Sequence, residues 1–123
     1  MNKKNRLVEE SEAFALRIVR LYKYLQTKRE TVMSKQLLRA GTSIGANIAE
    51  AQYAQSREDF TSKMSIALKE CSETMYWIRL LERAEYIESS ASSISLNEEA
   101  ETLLSLLAAT VKTSKQKSMK HET

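Results

Sequence analysis

The absence of proline is the feature that most restricts the fold of this chain. Its 123 residues include no Pro and only two Gly, whereas a β-sandwich or an α/β domain of this length needs more of both to form its turns. Helix interiors exclude Pro and disfavour Gly. We therefore expect an all-α chain, and 42% hydrophobic with 28% charged residues is typical of one globular domain spanning 1–123.

Apolar residues recur at helical spacing along four segments. Intervals of three, four and seven residues predict helices at about 5–28, 32–52, 56–88 and 97–111. Short connectors between amphipathic helices favour an antiparallel up-down four-helix bundle. The alternative is a helical hairpin that completes its core only in a dimer.

Local signals mark some of the predicted boundaries. Ser56 and Asp59 have the spacing of a capping box, which places the start of the third helix there. The serine-rich run SSASSISLN indicates a connector, with Ser95 or Asn97 as the cap of the fourth helix. No periodic apolar residue follows Val111. We therefore expect order over about 5–112 and then a flexible, basic C-terminal tail.

Most catalytic and metal sites lack their raw material in this chain. Its only His is His121, its only Asp is Asp59 and its only Cys is Cys71, so a Ser-His-Asp triad, a zinc site and an internal disulfide are not expected. No glycine-rich nucleotide loop is present. We expect a protein that is not an enzyme and that uses no metal or cofactor.

The longest uncharged runs, at 40–49 and 102–111, reach half of the roughly 20 apolar residues that a membrane-spanning helix needs. The N-terminal segment is basic but has no apolar signal core. We expect a cytoplasmic protein without a membrane partner.

Two glycines lie inside the predicted second helix. Gly41 and Gly45 each cost about 1 kcal/mol relative to Ala in a helix, and their neighbours are mostly small residues. This pattern predicts close packing of another helix against them. A kink that contacts a ligand is the alternative.

The predicted third helix has a second apolar face opposite its core seam. The residues on it are Ile66, Trp77, Leu80, Ala84 and Ile87. A bundle helix needs only one apolar stripe, and Trp is enriched at interface hot spots. The pattern favours self-association through this face, and the alternative is that a loop of the same chain covers it.

The run KQLLRAGTSIGANIAEA, the segment Ser56 to Phe60 and the run ALKECSETMYWIRLL together resemble a known family. It is the small four-helix-bundle family encoded in intervening sequences of bacterial large-subunit ribosomal RNA genes, often labelled a ribosomal protein. That family is similar to the accessory variability determinant of diversity-generating retroelements. The resemblance, over about residues 6–111, implies a ring-like homopentamer, nucleic-acid binding as in the retroelement relatives, and no catalytic residues.

Charge is unevenly distributed along the chain. Residues 1–40 hold ten basic and four acidic residues, which gives a net charge of +6. Residues 41–111 hold five basic and eleven acidic residues, a net charge of −6. Residues 112–123 hold four basic residues and one acidic residue, a net charge of +3. A stripe on the first helix groups Arg6, Arg17, Arg20, Tyr24 and Lys28.

This stripe leads to two hypotheses about function. In the first, the protein binds RNA or DNA through its phosphate backbone. In the second, it is a scaffold that docks a partner protein such as a polymerase. Alternatively, the stripe is only solvated or pairs with the acidic third helix of a neighbouring subunit.

Overall fold

Four helices make up the structure, a computed structural model that describes the backbone of residues 3–122 and the side chains of residues 6–119. The helices are α1 (Lys3–Thr27), α2 (Met33–Ala51), α3 (Arg57–Arg83) and α4 (Ala91–Glu122). No strand occurs within residues 3–122, and the prediction of an all-α chain is confirmed. No helix in this part of the chain is long and apolar enough to cross a bilayer.

Each helix runs antiparallel to the next one in the chain. As the residue number rises along one helix, it falls along the helix that contacts it. Pairs that follow this rule are Ser11 with Gly45 and Ile18 with Gly41, Arg39 with Glu73 and Glu50 with Lys63, and Thr61 with Ser114 and Cys71 with Ala100. Since α4 also packs on α1, the chain forms an up-down four-helix bundle.

The predicted apolar seams meet in one core. Its largest fully buried apolar side chains are Phe14, Ile18, Leu25, Leu37, Ile44, Ile48, Met64, Ile78, Leu81, Leu103 and Leu107. They come from all four helices at intervals of three, four, seven or fourteen residues. Burial of each such side chain contributes about 1.5–3 kcal/mol, which makes this core the main stabilising feature of the bundle.

The two glycines lie where α1 comes close to α2. A Cβ added at Gly41 would lie 2.7 Å from Cγ2 of Ile18, and one at Gly45 would lie 3.4 Å from the carbonyl oxygen of Ser11. Thr42 and Ser43 donate their hydroxyl hydrogens to backbone carbonyls one turn earlier. The small residues of α2 therefore form a surface on which the backbone of α1 packs.

The third helix begins as predicted but ends earlier. The backbone N–H of Asp59 donates to Oγ of Ser56 at 3.0 Å, so the capping interaction is confirmed. The helix was expected to reach Glu88, but Glu85 adopts a left-handed conformation with φ 68°, and α3 ends at Arg83.

Beyond that end the chain turns back over the last turn of α3. The N–H of Tyr86 donates to the carbonyl of Leu81 at 2.9 Å, which is the hydrogen bond of a Schellman motif. Ile87 is thereby folded into the core, where it is buried. Its assignment to the second apolar face of α3 was wrong, because the helical periodicity does not extend to it.

The fourth helix is longer than predicted at both ends. Ser90 and Ser93 cap its start reciprocally, because the N–H of each donates to the side-chain oxygen of the other at 2.9 and 3.2 Å. Most of the serine run is therefore helix rather than connector. The helix also continues past Val111, where Ser114 is buried and hydrogen-bonded to Thr61 of α3. Residues 112–122 of the expected flexible tail lie in α4, and residue 123 is outside the described part.

Candidate nucleic-acid interface

Arg17 links α1 to the start of α4. Its guanidinium donates to the carbonyl of Ser92 at 3.0 Å and to Oγ of Ser95 at 3.1 Å, and it lies 3.0 Å from Oε2 of Glu99. These contacts use both terminal nitrogens of the side chain. Arg17 therefore joins two helices and does not present a free charge to solvent.

Arg6 is also paired with an acidic side chain. Its Nε donates to Oε1 of Glu10 at 2.9 Å, one turn further along α1. The groove beside this pair has a volume of about 350 Å³, and Glu98 and Glu99 of α4 line it together with Glu10. The predicted basic stripe is therefore divided, since its N-terminal half faces carboxylates.

The C-terminal half of the stripe keeps its positive charge. Arg20, Tyr24 and Lys28 are exposed near the end of α1, and Nζ of Lys28 lies 5.5 Å from the centre of the Tyr24 ring. Three further exposed cations lie in the same part of the chain, at the end of α1, in the connector and in the first turn of α2. We define the basic corner as Arg20, Lys23, Tyr24, Lys28, Arg29 and Lys35.

Among the described side chains, no carboxylate forms an ion pair with any of the five cations of the basic corner. Lys23, Arg29 and Lys35 are not part of the stripe predicted from the sequence. A count over residues 20–35, which hold five basic residues and one acidic residue, would have found them.

That single acidic residue is Glu30, which is turned inward. Its carboxylate accepts from the backbone N–H groups of Val32 at 3.2 Å, Met33 at 3.0 Å and Ser34 at 2.6 Å. Burial raises the pKa of Glu30, but the hydrogen bonds from Met33 and Ser34 outweigh it, so the pKa is lowered. The negative charge thus stabilises the start of α2, whose dipole it complements, and leaves the outer surface of the corner positive.

A groove of about 520 Å³ connects the basic corner with the beginning of α4. Arg20 and Tyr24 line it from α1, and Ser90 and Ser92 line it from the N-terminal end of α4. Glu88 is the one carboxylate in its lining. The positive end of the α4 dipole therefore faces the same groove as the cations of α1.

The second apolar face of α3 is narrower than predicted. Ile66 is 40% exposed and Ala84 is exposed, but Leu80 and Trp77 are half-buried, and Trp77 packs against the core. Nε1 of Trp77 donates to Oε2 of Glu73 at 3.0 Å. The apolar strip on this flank therefore includes a polar contact near its centre.

That contact belongs to a cluster between α2 and α3. Arg39 donates to Oε2 of Glu70 at 3.1 Å and also to Glu73. The hydrogen bond from Trp77 and the interaction with Arg39 together outweigh burial and lower the pKa of Glu73. These side chains satisfy one another within the chain.

Within the described residues, no group of three or more His, Cys, Asp and Glu side chains converges on a common point that could hold a metal ion.

Comparison with known proteins identifies the family of the chain. Residues 3–109 match the family described as 23S rRNA-intervening sequence protein. A solved structure from Bacteroides thetaiotaomicron, a protein of unknown function from the S23 ribosomal protein family, is 51% identical over 90% of this chain and 99% of its own, with a TM-score of 0.86. No curated protein matches. The motif of the second helix thus indicated the right relatives, and the chain belongs to the 23S rRNA-intervening sequence protein family.

Proposed function

We propose that this protein is a nucleic-acid-associated accessory protein that binds the phosphate backbone of RNA or DNA through its basic corner and catalyses no reaction. The observation that carries the proposal is the set of five exposed cations without a carboxylate partner among the described side chains. Unpaired Lys and Arg side chains displace the counterions of nucleic acid, and that release supplies most of non-specific affinity.

The aromatic ring of Tyr24 favours contact with unpaired bases. The side chain of Tyr24 is 42% exposed and lies among the cations of the corner. Exposed aromatic rings in basic grooves stack on bases of any type. Binding through phosphates and one stacking ring selects little sequence. The sequence resemblance to the accessory proteins of retroelements, which implies nucleic-acid binding, favours this class of ligand.

A salt series on single-stranded RNA tests the proposal. If five phosphates are contacted, the affinity should fall about 100-fold between 50 and 200 mM salt. Each contact contributes about 0.7 to the slope of the logarithm of the affinity against the logarithm of the salt concentration. Replacing Arg20 and Lys28 by Ala should lower that slope by about 1.4. The measurement is fluorescence anisotropy with a labelled oligonucleotide.

The matched control carries Lys69→Ala and Lys112→Ala, which removes the same charge from exposed positions of α3 and α4. It should keep the slope of the unmodified protein. Equal losses in the two double variants, or negligible binding at 50 mM salt, would show that the corner is not the binding site.

A protein-interaction scaffold is the second candidate. The outer surface of α3 exposes Ile66 at 40% and Tyr76 at 46%, next to the half-buried Trp77 and Leu80. Aromatic and aliphatic side chains of this kind are enriched in the centres of interfaces. Self-association through this surface, into the homopentamer that the family resemblance implies, would repeat the basic corner around a ring.

Light scattering on Ile66→Glu tests whether the chain self-associates through this surface. A buried charge at an interface is costly, so the variant should form smaller particles than the unmodified protein. The control is Ile94→Glu, at a position that is 55% exposed on α4, and it should keep the original mass. An unchanged mass for Ile66→Glu would rule out this interface, whereas an oligomer without RNA affinity would favour the scaffold over nucleic-acid binding.

A further inference from the structure

A cavity of about 480 Å³ lies at the end of the bundle opposite the basic corner, where α3 begins and α4 ends. The geometry points to a binding site for a medium-chain fatty-acid carboxylate in this cavity. The inference is independent of nucleic-acid binding, because none of the residues of the basic corner lines the cavity.

The cavity arises from the unequal lengths of the helices. α4 has 32 residues, whereas α1 has 25 and α2 has 19. α4 therefore extends beyond the N-terminal part of α1 and packs there on α3, through the hydrogen bond between Ser114 and Thr61. The cavity lies between this extension of α4, the start of α3 and Leu7 of α1.

The inner surface of this space is apolar. Leu7 and Met64 are buried core residues, and the half-buried Phe60 lies beside them. One hydroxyl group and one amide group in the lining already have partners. The hydroxyl of Thr110 donates to the carbonyl of Leu106 at 2.8 Å, and the side-chain amide of Gln52 donates to the carbonyl of Ile48. The inner part of the cavity thus favours a hydrocarbon chain.

The rim of the cavity is positive. Arg57 and Lys117 are both exposed members of the lining, and no Asp or Glu is among the described residues that line the cavity. Neither cation forms an ion pair with a described side chain. An apolar interior below two such cations is complementary to an amphiphile with an anionic head, which a carboxylate supplies in the planar form that Arg binds best.

The volume matches a chain of moderate length. It is about three times the roughly 150 Å³ of a cavity that holds one benzene molecule, and it falls within the range of about 300–1,000 Å³ for small-molecule sites. A chain of about ten carbons fits this space with its carboxylate at the rim.

Titration calorimetry with decanoate below its micelle concentration tests the inference. We expect saturable binding with one decanoate per chain. Decanol, which has the same chain without the charge, should bind about tenfold more weakly because it lacks charge-assisted hydrogen bonds. Decyltrimethylammonium should not bind. Equal affinity for the anionic and the cationic amphiphile would overturn the proposal.

Two pairs of variants locate the site. Ala108 and Ala109 are both exposed on α4, but only Ala109 lines the cavity. Ala109→Trp should fill the cavity and abolish decanoate binding, whereas Ala108→Trp should leave it unchanged. Replacing Arg57 and Lys117 by Gln should weaken binding about tenfold, with Lys69→Gln and Lys112→Gln as the control of equal charge.

The folded state of each variant is checked by circular dichroism, and its mass by light scattering. Binding that survives Ala109→Trp, or no saturable binding to the unmodified protein, would overturn the proposal. The proposal would also be overturned if Ala109→Trp changed the particle mass and the unmodified protein bound no decanoate. The cavity would then be an interface between copies of the chain.

Discussion

Gly41 and Gly45 have different surroundings, although both lie inside α2. A Cβ at Gly41 would lie 2.7 and 2.9 Å from two carbons of Ile18, a side chain that is fully buried. Ile is β-branched and stiff at χ1, so it cannot move aside at low cost. At Gly45 the nearest atoms, 3.4 Å away on Ser11, leave room for a methyl group.

Gly41→Ala should therefore destabilise the protein by about 1–3 kcal/mol, because the overpacking outweighs the gain in helix propensity. Gly45→Ala should be neutral or stabilise by up to about 1 kcal/mol, because the same gain is not opposed there. Urea unfolding of the two variants measures the difference. Equal stabilities would contradict the close contact between α1 and α2 at Ile18.

Three of the helix ends depend on residues that are not the usual capping types. The N-cap position of α2 is Val32, which makes no side-chain cap, and Glu30 two residues earlier accepts the hydrogen bonds instead. At the C-terminal ends of α1 and α3, Arg29 and Glu85 adopt the left-handed conformation usually taken by Gly. Local hydrogen bonds hold the two C-terminal ends in place, since the N–H of Glu30 donates to the carbonyl of Leu25 and that of Tyr86 to the carbonyl of Leu81.

Glu30→Gln should lower the stability of the bundle by about 1–2 kcal/mol at pH 7, as the loss of a helix cap does. Because the pKa of Glu30 is lowered in the folded state, the ionised carboxylate contributes stability at neutral pH. That contribution is lost as the pH falls through the folded-state pKa, below the ordinary value for glutamate. The gap between variant and unmodified protein should therefore narrow in acid.

Thermal unfolding at a series of pH values measures this gap. Glu12→Gln, at an exposed position of α1, is the control and should show no comparable loss at pH 7. A gap for Glu30→Gln that stays constant into the acid range would contradict the role of its charge.

Glu85→Gly should stabilise the protein by about 0.5–1 kcal/mol. At φ 68° a side chain is strained and Gly is not, and this gain exceeds the added entropy of the unfolded chain. Chemical denaturation compares Glu85→Gly with Glu88→Gly. Since the φ of Glu88 is not positive, the second substitution should be neutral or destabilising. The strain argument fails if the two substitutions have the same effect.

The bundle as a whole encloses Cys71, the one cysteine of the chain. The thiol is fully buried on α3, and its Sγ lies 3.4 Å from the carbonyl oxygen of Ala100 on α4. Burial raises the pKa of Cys71 to about 11. A thiolate forms at this position only when the packing of the helices opens.

Cys71 should therefore react with Ellman's reagent at pH 8 only as fast as the bundle unfolds, and at once in concentrated urea. Ser72→Cys introduces a second thiol at an exposed neighbouring position, and this thiol should react immediately in the native protein. The readout is the rate at which the absorbance reaches the value for one reacted thiol per chain. A native rate for Cys71 equal to that of the new thiol would show that the core is open to solvent.

The prediction from sequence succeeded where the signal is local and repeated. The three- and four-residue periodicity of the sequence predicts that Phe14, Ile18, Ile78 and Leu107 face the core, and all four are buried, because helical periodicity is set by neighbours along the chain. The ends of α3 and α4 were misplaced. Glu85 carries no sequence signal for the left-handed conformation, and the partner of Ser114 is Thr61, which is distant in sequence.

The amino-acid sequence by itself determined four amphipathic helices, the faces that they bury and the family, since periodicity, the lack of proline and the second-helix motif are present in the chain itself. Only the tertiary structure decided which cations are free. Arg17 is neutralised by Glu99, and Glu30 is turned inward, whereas Arg20 keeps its charge. The reason is physical: Coulomb interactions depend on distance in space, and the bundle brings together charges that lie far apart in the chain.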